Sequence, residues 1–325
     1  MNLPPLPLVD GAMLIDNSFI ESLTTCPRKL EYNNLRKRIP SAERPALSFG
    51  TAIHLALEWR YKNCRNAQPT VMDEQDQAEL LAAYFKDNPN PEDDHRQLNF
   101  AIDLVKHYNQ RYAVEPFNLM TDKDGNVMLE LSFAVPLFEF ELEQRLGDAV
   151  LDSKFIPVIY TGRIDLPVLW DNQIIIIDHK TTSLLGDYYF DSQRISPQYE
   201  GYAWAFEQLT GKQVSGYCIN AIRTKAQPAK PRTGWDAWWE ECFGRHKEYL
   251  KPGQLDEWKT NTIALIKEFF YHYQQDYMPQ KKKACTMYGK CAYYDICYLP
   301  KENREANLHS DMFQNNEWSP LKGKV

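Results

Sequence analysis

The chain has 325 residues, 43% of them apolar and 13% aromatic, which is enough for one large or two moderate packed domains and excludes a chain without a core. A formal net charge of −7 excludes a surface coated in basic residues, so any contact with nucleic acid has to come from local positive patches. No run approaches about 18 uninterrupted apolar residues, and the first ten residues lack the basic start and apolar stretch of a secretory leader; no membrane contact and a cytoplasmic location are expected.

Asn17 and Ser18, both favourable caps, open a run through Phe19, Ile20, Leu23, Leu30 and Leu35 whose spacing predicts a first helix broken at Pro27. The pattern repeats from Pro45 to Arg65 with Leu47, Ile53, Leu57 and Tyr61, and further helices are expected at about 72–87 and 92–113. At Asp122-Lys123-Asp124-Gly125 the chain turns, and Val127, Leu129, Leu131, Phe133 and Val135 alternate as in a strand. An extended run from Phe155 to Trp170, a turn at Asp171-Asn172-Gln173 and the apolar run Ile174 to Ile177 predict a hairpin whose second strand is central. Ser196-Pro197 opens a helix to about Leu209, Gly211 stops it, and Val214 to Ile222 reads as another strand. After a loop at 226–233, helices are expected at about 235–250 and 254–277, ahead of a cysteine-bearing tail. The order strand, strand, strand, helix, strand is that of an α/β core. The sequence contains no Gly-x-x-x-x-Gly-Lys-Ser/Thr loop, so no ATP motor is expected.

Two features carry chemistry. Asp165 lies on the first hairpin strand and Asp178 ends the second, so the two carboxylates can sit side by side, since cross-strand neighbours are within about 5 Å. Lys180 falls on the same strand face as Asp178 because side chains alternate. Two carboxylates with a lysine beside them make a plausible Mg²⁺ site with a charged neighbour for a water nucleophile. A lone Asp-x-Lys is more often a pair of solvated residues at a hairpin end. The second feature is the cysteines, an odd seven placed at 26, 64, 218, 242, 285, 291 and 297, which is no disulfide framework of a small secreted domain and in a reducing compartment points to metal.

Taken together the motifs resemble the PD-(D/E)xK nucleases, in their RecB-like branch. The residues that carry the likeness are Gly162-Arg163-Ile164-Asp165, then Asp178-His179-Lys180, then Gln198-x-x-x-Tyr202 on the following helix, with Cys26-Pro27-Arg28-Lys29 and Gly50-Thr51-Ala52-Ile53-His54 as opening motifs. The resemblance implies a restriction-endonuclease-like α/β fold, with a central mixed sheet flanked by helices, a helical N-terminal region and an iron–sulfur-bearing C-terminal tail. It implies one nuclease domain over 1–325, divided into a helical region (1–120), a catalytic core (121–225) and a helical, cysteine-bearing part (226–325). It further implies that His54, Asp165, Asp178 and the backbone carbonyl of His179 hold Mg²⁺ or Mn²⁺, that Lys180 is the catalytic lysine, and that Gln198 and Tyr202, one helical turn apart, contact DNA or brace the site. A helical histidine among Ile53, Leu55 and Ala56 would otherwise read as packed core. Cys26, Cys285, Cys291 and Cys297 resemble the branch's [4Fe–4S] ligands, closing the domain as a buckle. The Cys-x5-Cys-x5-Cys tail departs from the Cys-x2-Cys-x5-Cys of CRISPR-associated members, and Zn²⁺ in the same sulfurs, or free buried thiols, remain open. Cys64, Cys218 and Cys242 are expected in the core.

DNA contacts are expected from Arg28 and Lys29, in a segment whose one acid is Glu31, and from the acid-free loop carrying Arg223, Lys225, Lys230 and Arg232. Trp235, Trp238, Trp239 and Phe243 have the spacing of core residues more than of a base-stacking platform. The expected function is hydrolysis of DNA phosphodiesters by a metal-activated water, exonucleolytic and on single-stranded or frayed ends, in repair, recombination or a phage. The alternative is a non-catalytic or partner-dependent DNA-binding subunit, working with a helicase or another protein of a recombination, repair or CRISPR adaptation complex.

Overall fold

A computed structural model describes residues 2–41, 44–63, 74–146, 149–287 and 289–316, and Cys64 falls outside them, as does the chain expected to end one helix at Arg65 and start the next at about 72. Leu8–Val9 (β1) and Ala12–Ile15 (β2) lead into Asn17–Thr25 (α1). The cap of α1 is Asp16 rather than Asn17 or Ser18, its carboxylate accepting from the Phe19 N–H at 2.7 Å. The helix breaks at Cys26, as expected, resumes over Pro27–Leu30 (α2), and widens into a π-turn over Glu31–Leu35. Arg38–Pro40 (β3) is followed by Pro45–Lys62 (α3), Glu74–Asp87 (α4) and Leu98–Arg111 (α5). The helix expected from 92 starts six residues later, because turns over 91–97 are held by Asn90 and Gln97 side chains on backbone carbonyls.

Asn118–Leu119 (β4), Leu131–Leu146 (β5), Ala149–Ile164 (β6), Leu166–Trp170 (β7) and Gln173–Thr182 (β8) follow. The strand expected from 127 begins at Leu131, with Val127 making only an isolated bridge to Thr121. The long extended run is two strands in different sheets, divided at Asp165. Then come Asp187–Arg194 (α6), Pro197–Thr210 (α7), Gly216–Arg223 (β9), Trp235–Glu240 (α8), Phe243–Tyr249 (β10), Gln254–Gln274 (α9), Tyr294–Tyr298 (α10), Lys301–Leu308 (α11) and Phe313–Asn315 (β11). The helix expected over 235–250 is therefore corrected: only its first six residues are helical, and β10 is an edge strand antiparallel to β9.

The five-stranded sheet β10-β9-β8-β7-β4 is mixed, with β8 and β9 parallel and the other pairs antiparallel. Helices cover both of its faces. Ile175 and Ile177 of β8 pack with α3, α4 and α5, while Ile176 packs with α1, α7 and α9, which is why this strand reads as an unbroken apolar run. The second sheet, β1-β2-β6-β5, lies against α7 and α9, where Phe140 stacks on Phe270 at 4.1 Å. Its β2 runs parallel to β6, and the Thr161 hydroxyl donates to the Ile15 carbonyl. The C-terminal segment returns to the front end: β11 pairs with β3, Tyr293 stacks on Phe313 and leans on Tyr32, and Arg28 donates to the Met278 carbonyl at 2.8 Å. Among the described residues no helix is long and apolar enough to cross a membrane.

Candidate active site

Asp165 is the single residue between β6 and β7, at the joint where the chain passes from one sheet to the other. Its carbonyl accepts from the Glu130 N–H and its Oδ2 from the His179 N–H, both at about 2.9 Å or less. The pairing of Leu166 with Ile177 brings it opposite Asp178. Because β8 alternates, Asp178 and Lys180 share a face and the His179 side chain takes the other. Lys180 Nζ lies 2.7 Å from Asp178 Oδ2 and donates to Gln198 Oε1 at 3.0 Å, and Gln198 Nε2 donates to Asp178 Oδ1 at 3.1 Å. The ammonium is the close charged neighbour of this buried oxygen, which has room for a further positive partner from the cleft side. Burial pushes the Asp178 carboxyl up to about 6 despite Lys180.

The other wall is α3. A Cβ on Gly50 would stand 2.9 Å from Thr181 Oγ1, so only glycine lets the helix come this close to β8, and His54 follows one turn later. His54 Nδ1 is 3.6 Å from Asp165 Oδ2. Gly162 has a similar role for the neighbouring helix, since a Cβ there would collide with Phe133 at 2.7 Å and press Tyr202 at 3.3 Å. Tyr202 is buried edge-on against Phe133 and shares a hydrogen bond with Gln198.

The residues expected from sequence miss one member. Ligand atoms of His54, Asp165 and Glu130 lie within 4.8 Å of one another. Glu130 sits just before β5 with φ 45°, a left-handed conformation that a non-glycine residue adopts at a cost, and its Oε2 is 2.6 Å from Arg163 Nε. Burial, and after it the Asp165 charge, pushes its carboxyl up to about 8. In sequence it is one polar residue between Leu129 and Leu131, with nothing local to mark it. Together these groups line a cleft of about 330 Å³ that also takes in Leu47, Glu58 and Thr181.

The His179 side chain is buried away from the acids. Burial holds it well below the usual histidine range, so it is neutral, and its Nδ1 accepts from Asn220 Nδ2 at 2.7 Å. Tyr61 stacks flat on the ring at 5.8 Å. Behind it, Tyr61 Oη donates to Glu115 Oε1 at 2.8 Å, and the same buried carboxylate pairs with Arg60 and Arg245.

Cys26, Cys285, Cys291 and Cys297 surround a second cavity, also of about 330 Å³, and none is in a disulfide. The Lys281 N–H points to Cys26 Sγ at 3.4 Å, and Gln280 Nε2 to Cys285 Sγ at 3.7 Å. Burial pushes the Cys297 thiol up to about 11. Cys218 and Cys242 are core residues, as expected.

Of the basic residues offered to DNA, two are occupied within the fold. Arg28 is buried between Met278 and Glu31, and Arg223 runs over Trp238 to Glu241. Lys29 borders the cysteine cavity, and Lys225, Lys230 and Arg232 are exposed. Trp238, Trp239 and Phe243 are core, while Trp235 is exposed.

The sequence model of the PD-(D/E)XK nuclease superfamily matches residues 18–298. No curated protein matches the chain. Solved structures similar to it include a protein of Eubacterium rectale described as a candidate exonuclease, 12% identical over 89% of each chain with a TM-score of 0.49. Another is SSO0001, 13% identical over 66% of this chain and 85% of the other, with a TM-score of 0.20. At these values the family match carries the assignment.

Proposed function

The chain belongs to the PD-(D/E)XK nuclease superfamily, and from that premise we propose that it hydrolyses DNA phosphodiesters with Mg²⁺ or Mn²⁺, as an exonuclease on single-stranded or frayed ends, the regions 1–120, 121–225 and 226–325 acting as one nuclease domain. The observation that carries this is the convergence of His54, Glu130 and Asp165 on one point beside the Asp178–Lys180 pair in an open cleft. The donor set fits a hard divalent ion: carboxylate oxygens with one imidazole, gathered in one cleft around the buried Asp178 Oδ2. His54, Glu130, Asp165 and Asp178 would hold the ion, with the His179 carbonyl as a further donor. When bound, it supplies polarisation of a phosphoryl oxygen and acidification of a water.

The protein's own groups do the rest. Lys180 is fixed by Asp178 and Gln198, so its ammonium is aimed rather than mobile and can orient a water or receive developing negative charge. Gln198 and Tyr202 hold that lysine's partners in place. A cleft of this size favours one strand, presented singly, over an intact duplex.

The four cysteines we assign to a [4Fe–4S] cluster. Four tetrahedral Zn–S bonds of about 2.3 Å would draw the sulfurs to roughly 3.8 Å from one another. The four sulfurs line one cavity of about 330 Å³, and four thiolates are the ligand set that a [4Fe–4S] cluster takes.

The test is digestion of end-labelled single- and double-stranded DNA with Mg²⁺, Mn²⁺, Ca²⁺ or EDTA, using the wild type, Asp178→Asn and Lys180→Ala. Cleavage is expected with Mg²⁺ or Mn²⁺ only, and in neither variant. Cleavage in EDTA, or by folded Lys180→Ala at the wild-type rate, would overturn the assignment.

A further inference from the structure

We infer that the rim of the cysteine cavity is a binding track for the strand of nucleic acid that leaves the catalytic cleft, made by Lys281, Lys282, Lys283, Lys290 and Arg44 with the Tyr294–Tyr298 pair. The inference deepens the nuclease reading and rests on it for the position of the scissile phosphate.

The chain carries a net charge of −7, yet residues 279–294 hold four lysines and no acid. Lys281, Lys282, Lys283 and Lys290 are all exposed. Lys281 Nζ donates to the Thr24 carbonyl and Lys290 Nζ meets Asp295 at the surface, but among the described residues Lys282 and Lys283 have no ion pair or hydrogen bond from their ammonium groups. Lys29, Arg44 and Lys290 line the cavity itself, and Lys281, Lys282 and Lys283 stand just outside it, between its lining residues Gln280 and Ala284. The lysine run therefore belongs to a patch drawn from three separate parts of the chain.

This patch adjoins the cleft. Arg44 borders the cysteine cavity, whereas Ala46 and Leu47, two and three residues on, border the catalytic cleft. Consecutive Cα atoms are about 3.8 Å apart, so the two openings are separated by one short step at the start of α3. A strand seated with one phosphate against Asp165 and Asp178 meets positive charge in that direction.

Aromatic surface completes the arrangement. Tyr294 and Tyr298 stack on each other at 4.9 Å, Tyr298 is 75% exposed, and Lys290 Nζ lies 5.1 Å over the Tyr294 ring. Lysines that follow a backbone, interleaved with exposed rings for bases, are how proteins hold single strands without reading sequence. A duplex would offer no unstacked base to these rings.

The test is fluorescence anisotropy of a 5′-labelled 20-nucleotide oligothymidylate on the full chain, with Ca²⁺ in place of Mg²⁺. Each lysine that neutralises a phosphate on a single strand adds about 0.7 to the slope of log K against log salt. Lys282→Gln/Lys283→Gln should lower that slope by about 1.4 and weaken binding about 25-fold at about 0.1 M salt. The control Lys212→Gln/Lys267→Gln removes the same charge from exposed positions elsewhere, at the end of α7 away from Gln198 and on α9, and should bind as the wild type does. Thermal melting checks that both fold. Wild-type affinity and slope in the rim variant, or equal losses in both variants, would overturn the track. Wild-type cleavage with an unaffected rim variant would sink this inference alone; the expected binding pattern in a protein that cuts nothing would sink the nuclease reading alone.

Discussion

Replacing Glu130 by glutamine should make the metal-free protein more stable and the nuclease worse. Four acids, Glu58, Glu130, Asp165 and Asp178, line one cleft, where Arg163 pairs with Glu130 and Lys180 with Asp178. A carboxyl raised from 4.5 to about 8 makes the folded chain the tighter proton binder, so stability is lost, not gained, as pH rises through that window. At pH 7, about 2.5 above the unfolded value of 4.5 and still below the folded one, the cost of keeping the group protonated has a ceiling of about 3 kcal/mol against folding. Glutamine removes that penalty but also the close pairing with Arg163, leaving a net gain of about 1–2 kcal/mol, or a melting temperature higher by about 2–3 °C in a chain this long. The assay is thermal melting in EDTA at about pH 5, 7 and 8.5, with Mn²⁺ titration calorimetry beside it. The gain should be smallest at pH 5, where wild-type Glu130 is already neutral, and largest at pH 8.5, while Mn²⁺ affinity falls at least tenfold. A variant less stable than the wild type at pH 8.5 in EDTA, or one that binds Mn²⁺ equally well, would refute the reasoning.

Anaerobically purified protein should be brown, absorb broadly near about 400 nm and carry roughly four irons, and Cys291→Ala should lose both colour and stability because it opens the tie between Cys26 and the C-terminal segment. A colourless, metal-free protein whose Cys291→Ala variant melts at the wild-type temperature would end the buckle, and one zinc per chain would keep it with a different ion. Glu115→Ala should cost about 3–5 kcal/mol, since it leaves the buried Arg60 and Arg245 guanidiniums facing each other without their shared carboxylate. A urea midpoint unchanged in that variant would show that the network behind His179 is idle.

What was legible in the sequence is what local pattern encodes. The central strand announces itself because both faces of β8 are buried, and α7 because Ser196-Pro197 and Gly211 punctuate it, Gly211 at φ 69°. The hairpin pattern alone marks Asp165, Asp178 and Lys180, whereas Gln198 and His54 are implied by the resemblance to the nuclease family, and the fold brings the five together. The edge strand β10 was hidden because Trp238, Trp239, Cys242 and Phe243 repeat at helical intervals across a helix end. Glu130 owes its place to a left-handed backbone and to neighbours far away in sequence. The β1–β2 hairpin carries a signal in its Asp10-Gly11 turn, with φ 50° and 81°, but strands of two and four residues are too short to show alternation.

The return of the last segment to the first helix has a consequence for how the protein is made. Ile15 pairs with Tyr160, and Cys26 lines one cavity with Cys297, about 270 residues further along. A ribosome adding about 5–20 residues per second needs roughly 15–50 s to span that interval. During it the front helices are outside the tunnel with their docking partners unmade, and Phe19, Tyr32 and Leu35 exposed to other chains. Docking of α2 and β3 against the 278–315 segment thus comes late in synthesis, after the hairpin that carries Asp165 and Asp178 has been made.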